Sequence, residues 1–279
     1  MNKLFVFGMG YAAGHLAALL EGRGWSVVGT TRDGRGGTIR FDDRDGVEAQ
    51  IAAATHILSS VPPVDEADPV LLAYGAQLAK SDAWIGYLSS TGVYGDTGGA
   101  WVDETAPIGS GRRAARAAAD ADWQGLGARV FRLPGIYGPG RSPIDRVRAG
   151  RAHRVGLPGQ VFSRVHIADI VSGVIAGFDG PAGAYNLSDD FPCDQDAVVA
   201  YAAELAGLAP PPLVPLESLS AAARGFYAEN RRVANGKAKR VLNWRPRYPD
   251  YRLGLRALSA MTSPTAVTAA PAPASSDQR

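Results

Sequence analysis

Apolar positions recur along this chain in two alternating registers. Lys3 to Phe7 (KLFVF) is a short apolar run ended by Gly8, and residues 11 to 23 carry Ala and Leu at helical spacing, so the chain opens as strand, glycine turn and helix. A second β-like run spans Ser26 to Thr30, and TIRF, THILSS, WIGYLSS and ARVFRL follow it downstream. The spacing predicts helices between them at about 45–54, 68–81 and 111–126. Strands alternating with helices define an α/β fold with a doubly wound parallel sheet. The second half is less regular. It has a Gly- and Pro-dense loop from Leu133 to Pro143, an apolar helix near Ile167 to Phe178 and a strand near Ala184 to Leu187, which together read as a smaller lobe.

Gly8, Gly10 and Ala13 fit G-x-G-x-x-A directly after the first strand and at the opening of the first helix. In that setting backbone amides at a helix N-terminus can hold a pyrophosphate, which makes the fold class Rossmann-type and points to a dinucleotide site that includes Tyr11. An NAD site ordinarily places Asp or Glu about 20 residues on, whereas this second strand ends in Thr30, Thr31 and Arg32. An arginine there can grip a 2′-phosphate bidentately, so the sequence favours NADP over NAD; the alternative is a solvated turn arginine ahead of Asp33. Asp42 reads either as an adenine neighbour or as a surface acid. Ser59, Ser60 and Val61 end the fourth strand and are expected beneath the cofactor.

Composition removes several other classes. Twenty-nine Lys+Arg against 27 Asp+Glu leave a net charge of +2, which provides no global field toward nucleic acid or anionic lipid. No apolar run approaches the ~20 residues of a membrane span. His15, His56 and His153 have no metal-ligand spacing, so no metal is expected. The lone Cys193 reads as an incidental thiol, and the N-terminus has no cleavable signal pattern; we therefore expect a cytoplasmic protein, monomer or homodimer, with a small-molecule substrate.

At YLSSTGVYG (87–95), FRLPGIYGPGR (131–141) and VHIADI (165–170) the sequence resembles the extended short-chain dehydrogenase/reductases, the NAD(P)-dependent epimerase/dehydratase superfamily. The resemblance runs from about residue 3 to about residue 258, and FYAENRRVANGKAKRVLNWRPRYPDYRLGL is similar to an atypical bacterial subgroup. It implies one unit over 1–261, with 1–140 mainly the dinucleotide-binding core and 141–261 interleaving core elements with a substrate lobe. Residues 262–279, rich in Pro, Ala, Ser and Thr without large anchors, read as a disordered tail.

The resemblance further implies a Ser or Thr at the end of the fifth strand and a downstream Tyr-x-x-x-Lys, which move a proton while hydride passes to or from nicotinamide. Ser90 matches the first, with Thr91 beside it as a substrate contact. Between Pro107 and Trp123, however, the chain reads IGSGRRAARAAADAD, with neither tyrosine nor lysine. Arg112 stands at the tyrosine position and Arg116 at the lysine position, one helical turn apart. Guanidinium stays protonated near neutrality, so these residues can anchor an anion or stabilise an alkoxide but cannot act as the acid; they read equally as a solvated basic face. Tyr94, Tyr137 and His166 remain as proton donors, Tyr137 first because the loop after the sixth strand borders the nicotinamide in the resembled fold. RSPIDRVRAGRAHR (141–154) carries five arginines, and with Arg164 it suggests an anionic substrate group held by Arg141 and Arg164. The reading is an NADP-favouring oxidoreductase acting on an alcohol/carbonyl pair. A sugar-nucleotide epimerase or dehydratase and a non-catalytic NADP(H)-sensing regulator are the alternatives.

Overall fold

The computed structural model describes residues 2–109 and 114–262; Arg112 and residues 263–279 of the expected tail lie outside the described residues. In chain order the elements are β1 (Lys3–Phe7), α1 (Tyr11–Glu21), β2 (Ser26–Thr31), β3 (Ile39–Arg40), α2 (Arg44–Ala53), β4 (His56–Ser59), α3 (Pro69–Leu78) and β5 (Trp84–Ser90). There follow β6 (Trp101–Val102), α4 (Ala114–Gly125), β7 (Arg129–Leu133), β8 (Gly135–Tyr137), α5 (Pro143–Arg148), β9 (Arg164–His166) and α6 (Ile167–Ala176). The chain continues through β10 (Gly183–Asn186), α7 (Gln195–Leu205), α8 (Ala221–Tyr227), β11 (Arg232–Val233), α9 (Gly236–Val241) and α10 (Tyr251–Thr262).

Among the described residues seven strands pair in the order β10-β7-β5-β4-β1-β2-β3, all parallel. The period-2 geometry of β1 explains why its whole run is apolar. Leu4 and Val6 enter one core layer with α1 and α6, while Phe5 and Phe7 enter the other with α2, α3 and α4. Strand order reverses between β1 and β4, so the ends of those two strands flank the crevice where doubly wound sheets take ligands.

Local chemistry sets the helix starts. Asp43 caps α2 by accepting from Gly46 N, and Asp68 caps α3 by accepting from the Val70 and Leu71 amides, with Pro69 at the first helical position. The expected helices at 45–54 and 68–81 therefore begin within two residues of their caps. A third apolar cluster joins Tyr137, Val147, Val199 and Leu255 across α5, α7 and α10. The parallel pairs β8–β9 and β6–β11 were not expected from the sequence pattern; each is two or three residues long, too short to show a period.

Candidate active site

The glycine turn is fixed from three strands. Gly8 has φ of +82°, and a Cβ there would stand 2.8 Å from Cγ2 of Val61, so both backbone and space require glycine. Gly8 N donates to Thr30 Oγ1 (3.1 Å), Met9 N to Thr30 O (2.8 Å), and Ser60 Oγ donates to Gly8 O (2.5 Å). The ends of β1, β2 and β4 are thereby tied into one rim. Gly10 precedes α1 without any side-chain cap, and no acidic residue occupies the first turn, so the amides there are left for an external acceptor.

At the end of β2, Thr31 Oγ1 contacts Asp33 and Thr38, while Arg32 is exposed with no ion pair or hydrogen bond among the described residues. Asp42 is engaged by Arg40 in a bidentate pair at 2.8 and 2.9 Å, which makes it a surface acid with its oxygens already taken. Ser59 is fully buried and its hydroxyl has no partner among the described residues, whereas Ser60 reaches the cleft. An uncapped helix start, a cradle that a Cβ would fill and an unpaired guanidinium at the second strand's end together fit a dinucleotide.

A cavity of about 890 Å³ runs from Gly10, Tyr11 and Ser60 past Ser90, Thr91 and Arg116 to α5 and α8. Tyr11 crosses its mouth: the hydroxyl donates to Pro139 O at 2.9 Å, and the Arg141 guanidinium lies 5.8 Å from its ring centroid. Ser90 Oγ accepts from Gly92 N at 3.1 Å, which orients it at the strand end. Arg116, half-buried on α4, shares the cavity wall with it.

Three expected site residues are placed differently. The Tyr137 ring joins the wall, but its hydroxyl is sealed from solvent with no hydrogen-bond partner among the described residues, against Gly254 of α10. Burial, and then the nearby Asp189 and Asp169, push that phenol far up, so in this arrangement it is not a proton donor to the cleft. His166 caps α6 by accepting from Ala168 N through Nδ1; burial, then Arg247 and His15, push it down to about 4, so it is neutral at pH 7. Arg164 lies in the wall yet donates inward, to Phe162 O, Cys193 O, Cys193 Sγ and Gln195 Oε1, which commits much of its fork to holding β9 on the 193–195 segment.

Tyr94 belongs to a network that the sequence reading missed. Asp120 on α4 accepts from Arg132 Nη2 (2.7 Å) and Nε (3.1 Å) and from Ser89 Oγ (2.6 Å). Arg132 Nη1 also donates to the Tyr94 hydroxyl, which in turn donates to Asn186. The available signal was an aspartate and an arginine at strand- and helix-buried positions, where charges require each other. Phe162, Phe226 and Tyr227, which line the far end of the cavity, were also missed.

No family model matches the chain. A solved structure described as a functionally unknown conserved protein from Silicibacter pomeroyi DSS is 41% identical, with TM-score 0.83, covering 94% of this chain and 99% of that one. Protein YeeZ from Escherichia coli K12 is 28% identical over 279 residues, covering 90% of this chain and 97% of the relative. The human epimerase family protein SDR39U1, solved with NADPH, is 17% identical with TM-score 0.73, over 92% of this chain and 99% of that one. The chain thus shares a Rossmann-type α/β fold with this NADPH-bound protein. Within it, the chain belongs to one family with the functionally unknown Silicibacter protein.

Proposed function

We propose that this protein is an NADP(H)-dependent oxidoreductase acting on an alcohol or carbonyl of a small anionic substrate. The observation that carries the cofactor choice is Arg32, exposed and unpaired among the described residues at the strand end where an NAD-binding chain ordinarily presents an acid. A guanidinium there would hold a 2′-phosphate bidentately, whereas a carboxylate would repel it. The free amides after Gly10, with Tyr11 above them and small Ala13 packed behind, would hold the pyrophosphate; Ser60 and Val61 would support the ring end, and Thr31 and Arg32 the adenosine end. When bound, the nicotinamide supplies or accepts hydride. Ser90 orients the reacting oxygen, and Arg116 stabilises negative charge as it develops there. The basic segment that starts at Arg141 and continues through Arg146 and Arg151 would anchor the substrate's anionic group. Because guanidinium does not release its proton near neutrality and the Tyr137 phenol is sealed, water in the open cleft delivers the proton.

Titration with NADPH and NADH tests this reading: NADPH is expected to bind at least about tenfold tighter, with Arg32→Ala removing the preference. Equal affinities, or an equal loss of both in the variant, refute the 2′-phosphate assignment. In a substrate screen, net NADPH oxidation supports the oxidoreductase. Conversion without net consumption transfers the assignment to an epimerase or dehydratase, and binding without any turnover to an NADP(H)-responsive regulator, the reading that the missing tyrosine and lysine favour.

A further inference from the structure

At the end of the cavity remote from Gly10, aromatic rings form a shelf. Phe162 and Phe226 lie parallel, with centroids 4.4 Å apart and planes at 8°, and Tyr227 meets both edge-on at 5.6 and 5.7 Å. Phe162 is half-buried beneath, while Phe226 is 47% exposed although it lines the cavity. A rigid ring held by two others, with free surface turned to a cleft, is a preformed stacking platform.

The charges around it are unevenly paired. Arg231 is bonded to Glu229 at 2.9 Å, and Arg164 points its fork into Phe162, Cys193 and Gln195. Arg146 and Arg151 line the same wall, exposed and without an ion pair among the described residues, and the Arg146 charge bears on the Tyr227 phenol. The acids nearby are already engaged: Asp145 accepts from Ser142 N in the capping box of α5, and Asp196, which with Asp194 also bears on the Tyr227 phenol, accepts from the Val155 and Gly156 amides. With those carboxylates satisfied by backbone amides, the guanidiniums of Arg146 and Arg151 can take a carboxylate from a ligand.

We propose that this compartment binds an aromatic carboxylic acid, its ring stacked on Phe226 and its carboxylate held by Arg146 and Arg151. The inference rests on the oxidoreductase reading for its chemistry, since Ser90 opens into the same cavity, but its binding test needs no cofactor. Calorimetric titration of the full chain without cofactor compares cinnamate with 3-cyclohexylpropanoate, equal in charge but lacking a π face. Cinnamate is expected to bind about tenfold tighter. Phe226→Ala should abolish that ratio, Phe226→Leu should keep part of the affinity without the ratio, and Arg146→Ala with Arg151→Ala should weaken both acids together. Equal binding of the two acids, an unchanged ratio in Phe226→Ala, or preferential binding of uridine diphosphate overturns the assignment. Failure of NADPH to bind would sink the oxidoreductase reading and leave the ring selectivity standing; loss of ring selectivity would leave the NADPH titration untouched.

Discussion

Replacing Asp120 with alanine is the most decisive test of what holds the site's floor. In the native protein the Arg132 and Asp120 side chains are 3% and 0% exposed, and Asp120 accepts two bonds from the guanidinium, one from Ser89 and one from Gln124 at 2.8 Å. Asp120→Ala strands a buried positive charge, whose remaining bond to the Tyr94 hydroxyl is to a neutral group. Breaking one side of such a pair costs roughly 3–5 kcal/mol, a large part of the ~5–15 kcal/mol that holds a domain folded. For a chain of this size that lowers the melting temperature by about 10 °C. Guanidinium denaturation followed by tryptophan fluorescence reads the loss directly, with constant m as the condition for interpreting it. A paired replacement, Asp120→Leu with Arg132→Met, removes the charge with its partner and should recover most of the stability. A single-variant loss below about 1 kcal/mol, or a double variant as damaged as the single, would show that the network does not work as a mutually required pair.

Tyr137→Phe removes a buried hydroxyl with no partner among the described residues, so stability should hold or rise by about 0.5–1 kcal/mol and turnover should persist; a clear loss of turnover would return the phenol to the chemistry. Gly8→Ala should abolish dinucleotide binding and cost about 1–3 kcal/mol, because the positive φ and the Val61 contact both resist a Cβ; normal binding would refute the cradle. The third expectation concerns pH. Burial pushes Asp189 up to about 8, so the folded state binds its proton more tightly than the unfolded state and stability falls as pH rises from about 4 to 8. His166, pushed down to about 4, gives the opposite slope between about 4 and 6.5, and Asp169, pushed up to about 6, adds a fall below pH 6. Above pH 6.5 Asp189 contributes up to about 1.4 kcal/mol per unit, so denaturation at pH 6.5 and 8 should show falling stability that Asp189→Asn flattens; an unchanged slope in that variant would refute the assignment.

The fold was legible because its strands are buried on both faces and its first turn has a steric requirement. KLFVF reads as a strand without alternation because both core layers claim its side chains, and Gly8 announces a turn that no other residue could make. The sites that escaped share one cause: they depend on contacts between distant residues. Asp120 and Arg132 are twelve positions apart, on a helix and a strand, and although each falls at a buried position of its element, nothing local says that they pair with each other. Phe162 and Phe226 stack from segments sixty-four positions apart, so neither neighbourhood carries a period. Tyr137 fails differently. The loop was placed correctly against the cleft, but a residue in a short strand sends its side chain to one side or the other, and α10 presents Gly254 to receive the ring.

The same distinction bears on the missing tyrosine and lysine. A proton relay needs a titratable group at the reacting oxygen, but charge stabilisation needs only a cation there, and Arg116 lines the cavity that Ser90 enters. With a fixed cation, the donor need not be a side chain, provided that water reaches the oxygen. The cavity does not close over Ser90: it extends onward to α5 and α8, where exposed Arg146, Arg151 and Phe226 line it. An enzyme organised this way stabilises the alkoxide electrostatically and takes its proton from solvent, so its rate should lack the alkaline limb that a tyrosine acid imposes. A rate that instead falls along a single titration above neutrality would require a protein acid, and Tyr227, the phenol beside the cavity's stacked rings, would be the first to replace with phenylalanine.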